Sequence, residues 1–318
     1  MNRIQLSVLV VLCSIAFGGR AHAVNYFKAF QGHQAPSKGK QVLVPDAYRI
    51  VTADQQSLHA FLNGLSSDPA KKTLITLPAP DGSTQDFYIW KTSMMEAPLQ
   101  AMFPQIQTFT AEAKNNRQVT AKVDINTRGF HAMVFQGDNT YLIDPYADVA
   151  DGYYSVYYKK DYHREGSQLM VCEVDDASKI ADANGSLPEQ MDGTLPGVGL
   201  KQYGGTRKQF RLALSCTGEY AVAVGGTTPT TASVLSAMVT SMNRVNGIYE
   251  REVGVTMIMI GNNDQLVYLD PNNDPFTANF NGGQLLAQNQ SNTASVIGTA
   301  NFDIGHIFST GGGGIAAL

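Results

Sequence analysis

The sequence predicts an α+β domain followed, across a polar linker, by the first part of an α/β domain with a mixed sheet and packed helices. Three observations predict it. Short β-rich segments separated by turn signals fill residues 41–174, the composition shifts over 175–208, and a strand–helix–strand run opens residues 209–318.

Ahead of these regions, residues 1–23 have the layout of an export signal. Arg3 supplies the positive end, Leu6 to Phe17 is almost wholly apolar, and Ala21-His22-Ala23 offers small residues for cleavage. An apolar run of about a dozen residues is too short for a membrane anchor, which needs about twenty. The expectation is a secreted protein, extracellular or periplasmic, with no membrane association after signal cleavage. Residues 24–40 are polar and aperiodic, and read as a loosely held N-terminal arm.

Within 41–174, Tyr48 to Val51 reads as a strand, and Thr52 with Gln55 as a capping box before a helix whose apolar face is Leu58, Phe61, Leu62 and Leu65. Leu74 to Leu77 and Phe87 to Trp90 flank Pro80-Asp81-Gly82, a hairpin signal. Val119 to Ile125, Phe130 to Phe135, Thr140 to Ile143 and Tyr153 to Tyr158 complete an antiparallel pattern, with a turn at Gly137-Asp138-Asn139. The stretch 175–208 is rich in Asp, Gly, Pro, Ser and Asn and reads as a linker. Arg207-Lys208 at its end is a plausible processing site.

Beyond the linker, Phe210 to Cys216 and Tyr220 to Val224 read as strands. Pro229 and Thr231 then open a helix whose wide apolar face runs from Val234 to Tyr249. Gly254 to Ile260 is a nearly continuous apolar run, suited to a strand covered on both faces. A short strand at Leu266 to Leu269, a helix from Gln284 to Ile297 and a strand at Ile304 to Phe308 follow.

The net charge of −4 and the absence of a basic cluster exclude nucleic acid as a partner. Once the signal and its Cys13 are removed, Cys172 and Cys216 are an even pair, expected to form a disulfide in an oxidising compartment. No catalytic or metal-binding constellation is present. His22, His33, His59, His131, His163 and His306 are scattered, with no His-x-x-x-His and no G-x-S-x-G. The loop Asp270-Pro271-Asn272-Asn273-Asp274 has the alternation of a calcium loop. However, Pro275 and Asn281 stand where an EF-hand needs glycine and glutamate, so turn chemistry is the better reading and calcium binding is left open.

The segments RLALSCTGEY, VLSAMVTSMNRVNGIYEREVGVTMIMI, NNDQLVYLD and SVIGTANFDIGHIFSTGGGG resemble the opening of bacterial reprolysin-like metallopeptidases of the metzincin clan. ITLPAPDGS, FYIWKTSMMEAPL and VYYKKDYH resemble the region that precedes the peptidase domain in such precursors. The resemblance implies a pro-domain in contact with the N-terminal part of a catalytic domain, protein or peptide substrates, and a zinc cofactor in the complete protein. Its zinc-binding helix would begin beyond Leu318. It further implies that Ile307, Phe308, Ser309, Thr310 and Gly311 match the edge strand that pairs with substrate backbone, as an unpaired strand edge can. A latency thiol would fall to Cys172, although its flanking residues match no known latency motif. All zinc ligands and the general-base glutamate are missing here, so the expectation is a chain inert toward peptides. The alternative is a secreted binding or inhibitory protein on the same scaffold; an adhesion module is a third reading.

Overall fold

The computed structural model describes residues 23–163, 206–311 and 316. Residues 1–22 of the expected signal segment, Cys172 and residues 175–205 of the expected linker lie outside these residues.

Among the described residues thirteen strands form two sheets. The first unit is one ten-stranded sheet in the order β1-β4-β5-β6-β7-β8-β9-β10-β3-β2. Its strands are β1 (Val24–Asn25), β2 (Phe27–Ala29), β3 (Arg49–Ala53), β4 (Thr73–Pro78), β5 (Thr84–Thr92), β6 (Gln107–Ala113), β7 (Asn116–Asn126), β8 (Gly129–Phe135), β9 (Tyr141–Pro145) and β10 (Tyr153–Tyr158). Neighbours are antiparallel except β1 and β4.

The arm is thus less loose than its composition suggests: β1 and β2 close the two ends of this sheet. Edge pairing needs only backbone groups and one anchor. Phe27 is the anchor, buried edge-on against Phe130 and Tyr154 at ring distances of 5.3 and 6.0 Å. Helix α1 (Gln55–Asn63) buries Leu58 and Leu62 against the sheet core. Its cap is Asp54, whose carboxylate accepts from Ser57 N at 3.2 Å, because Thr52 is still paired in β3. Helix α2 (Ala97–Met102) and strand β6 had no sequence signal.

The second unit is a three-stranded sheet, β12-β11-β13, formed by β11 (Lys208–Cys216), β12 (Val255–Met259) and β13 (Ile304–Phe308). All its pairings are parallel rather than mixed. Helix α3 (Gly218–Gly225) occupies the segment expected as a strand at Tyr220 to Val224. Thr217 decides the outcome, since its hydroxyl accepts from Tyr220 N at 3.2 Å and starts a helix before the alternating Ala-Val run can extend. Helix α4 (Thr231–Glu252) opens with a reciprocal Thr230–Ser233 capping box, and α5 (Gly282–Val296) is capped by Asn281. In place of a strand at Leu266 to Leu269 there is a 3-10 turn, Asn263–Leu266, and one bridge from Val267 to Cys216.

The two units share a broad contact. α4 lies on β7 and β8, and Asn243 Nδ2 donates to Val123 O at 3.0 Å. A Cβ at Gly247 would collide with the Phe135 ring and the Lys122 stem, so only glycine lets the helix approach this closely.

Candidate functional site

Two places in the second unit could support function: the outer edge of β13 and the polar seam beneath α4. Among the described residues β13 pairs only with β11, Ser215 opposite Ile307 and Cys216 opposite Phe308. Thr217 N donates to Phe308 O at 3.0 Å, so the main-chain groups of Phe308 face β11. Alternation along a parallel strand then turns the N–H and C=O of Ile307 to the open side. The side chain of Ile307 packs against the cluster of Phe276, Ala278 and Leu285, while that of Phe308 packs against the main core of the unit.

Ser309, Thr310 and Gly311 lie past the strand. Asn279, itself buried, pins them. Its Oδ1 accepts from Thr310 N and from Thr217 Oγ1, each at 3.1 Å, and its Nδ2 donates to Thr310 Oγ1 at 2.7 Å. Gly311 lies so close to the Asn279 carbonyl that a Cβ would collide with it. Of the five residues expected along a substrate strand, Ile307 therefore has the outward main-chain groups, and the N–H of Thr310 is already occupied.

Three buried asparagines absent from the sequence reading hold this unit in register. Asn263 extends the ladder where β12 ends, accepting from Leu214 N at 2.8 Å and donating to Leu214 O at 3.0 Å. Asn246 on α4 does the same for Met257 of β12, with bonds of 2.9 and 2.8 Å. Asn279 is the third. Each side-chain amide imitates a backbone amide, a role that leaves no periodic signal.

Cys216 is a free, fully buried thiol among the described residues; burial pushes it up to about 12, and it makes a 3.7 Å contact with Tyr268 O. It is held neutral and is no nucleophile. Its expected disulfide partner, Cys172, lies outside the described residues.

The seam under α4 is built from charges. Arg244 donates through one terminal nitrogen, Nη2, to Asp144, which also accepts from Tyr157 OH at 2.7 Å. Burial pushes the Asp144 carboxyl up, but Arg244, His131 and Tyr157 outweigh it and hold it below the usual carboxylate range. Asp124 accepts from Thr240 Oγ1 at 2.7 Å and Asn126 Nδ2 at 2.8 Å, with His131 Nδ1 at 3.3 Å. Lys122 meets Glu250 at 2.8 Å, and Arg207 reaches the same carboxylate at 3.2 Å. Every charge here has an opposite partner or hydrogen bonds, the mark of a structural joint rather than a reactive centre.

The residues present do not fit a zinc ion. Among the described residues no three His, Cys, Asp or Glu side chains are grouped to hold a metal. His131 is committed to Asp124 in the seam, and His306 is exposed on β13. In the Asx loop, Asp270 accepts from Asn272 N at 2.9 Å, while Asp274 accepts from Gly218 N at 2.6 Å and Phe276 N at 2.8 Å, so the carboxylates serve turns and a helix start.

The second unit is thus a parallel α/β unit with an outer strand edge at β13 and no catalytic group assembled among the described residues. Residues 206–316 match the family model described as metallo-peptidase family M12B, reprolysin-like, so this unit is similar to reprolysin-like metallopeptidases. No curated protein matches the chain. Among the described residues no helix is long and apolar enough to cross a membrane.

Proposed function

We propose that this chain is the front part of an exported zinc metalloendopeptidase precursor, with the ten-stranded unit in the pro-domain position, and that these 318 residues alone do not hydrolyse peptides. The observation that carries the reading is the reprolysin-like match over 206–316, which falls on the α/β unit and not on the sheet before it. Export rests on the signal layout of residues 1–23. In an exported chain Cys172 and Cys216 are the pair available for a disulfide, which mass mapping under non-reducing conditions checks.

The zinc needed by the complete enzyme would be held by an H-E-x-x-H helix absent from this sequence, and among the described residues no cluster substitutes for it. What these residues offer is binding: an extended peptide running along β13 can pair with the outward N–H and C=O of Ile307. The missing ligands equally favour a second reading, a secreted binding or inhibitory protein that uses the same edge without catalysis.

Reading the nucleotide sequence past the codon for Leu318 separates the two. An H-E-x-x-H within about a hundred residues, together with casein cleavage by the longer product that a chelator abolishes, is the expected result. An immediate stop codon rejects the peptidase reading.

A further inference from the structure

The segment Ser93–Ile106 belongs by sequence to the first unit, yet it is built into the second. Met94 O accepts from Met259 N at 2.8 Å, and Glu96 N donates to Met259 O at 2.9 Å. With the parallel bridge between Met95 and Met259, this adds a short fourth strand to the outer edge of β12. The Glu96 carboxylate then accepts from Gly261 N at 2.8 Å, and Pro98 packs on Gly261. Met94, Met95, Leu99 and Ile106 are almost fully buried in the same core cluster as Leu212, Leu214, Leu235, Met238 and Met259. Asn246, which clamps β12, also donates to the Met94 sulfur.

From this we infer that the ten-stranded unit is a permanent structural subunit of the α/β unit and not a detachable segment: a cut between them leaves two chains joined as one folded body. Two features on the far side of α4 act in the same direction. The Asp144–Arg244 and Lys122–Glu250 pairs cross between the units, and separation would break both. The basic pair Arg207-Lys208 is also a poor release point, because Lys208 N already donates to Gly254 O at 2.9 Å within the start of β11. The inference concerns assembly and stands whether or not the peptidase reading holds.

The test is made on the full chain with residues 184–190 replaced by a site for a sequence-specific protease. After complete cleavage the two pieces are expected to co-elute in size exclusion at low micromolar concentration and to unfold in a single transition. Glu96→Gln and Leu99→Ala, made separately in the same background, are expected to raise the dissociation constant of the cut pieces at least tenfold while the uncut variants stay folded by circular dichroism. Separation of the wild-type pieces into two independently folded species, or unchanged association in both variants, would overturn the proposal. Should Leu99→Ala fail to fold even uncut, the Glu96→Gln comparison decides alone.

Discussion

Asn263 supplies both hydrogen bonds that the backbone of Leu214 would otherwise lack, at a site with no solvent. Replacing it by alanine orphans a buried N–H and a buried C=O, at roughly 1–3 kcal/mol each. Asn263→Ala is therefore expected to destabilise the protein by several kcal/mol in denaturant titration, whereas Asn262→Ala, one residue away, leaves the midpoint nearly unchanged. Asp144 is the other single residue with a large effect. Removing its carboxylate in Asp144→Ala leaves Arg244 without its main partner; as Arg244 is partly exposed, the loss should lie toward the lower end of roughly 3–5 kcal/mol. The acid limb carries the same information. A carboxyl with a lowered folded-state value stabilises fully above its unfolded value of about 3.9, and that contribution is lost as pH falls through the lower folded value. Wild type should therefore lose stability below about pH 4 more steeply than Asp144→Asn; parallel curves would contradict the role given to this carboxylate.

At the scale of elements, periodicity was a good guide where one face of a segment is buried. Leu58 and Leu62 on α1, and Val234, Leu235, Met238, Val239 and Met242 on α4, are the buried stripes their spacing predicted, and Ile304 to Phe308 is a strand over the expected residues. It failed where local polar chemistry overrides the pattern. Ala-Val alternation after Tyr220 looks like a strand, but the Thr217 hydroxyl sets a helix start, so Thr217→Ala should cost about 0.5–2 kcal/mol and reduce helicity locally. β6 reads Thr-Phe-Thr-Ala-Glu-Ala, weakly apolar, and is a strand because it lies between two long neighbours in the sheet. Of the candidate site, the strand at β13 was legible in the sequence, but the Asn279 pin and the Asn263 clamp were not, since isolated asparagines carry no period. Ile307→Pro tests the edge itself: it removes the outward N–H while leaving the Phe308–Thr217 bond in place. Binding of an extended peptide should fall at least tenfold, measured by fluorescence anisotropy; unchanged binding would place the peptide elsewhere.

For the whole molecule, the sheet unit, the polar seam and the inserted Ser93–Ile106 segment make one cooperative body in which the α/β unit holds a strand edge, with no metal-binding cluster among the described residues. At Gly247 a side chain would meet the first unit directly, and Gly247→Val should push α4 off Phe135 and lower stability by roughly 1–3 kcal/mol in thermal unfolding. The claim that matters most for function is that these residues bind no catalytic zinc. It is tested by equilibrating the purified 318-residue chain with zinc, removing excess metal, and measuring bound zinc and casein hydrolysis on the same sample. The account predicts no stoichiometric zinc and no hydrolysis. One zinc retained per chain, with cleavage that a chelator abolishes, would contradict it.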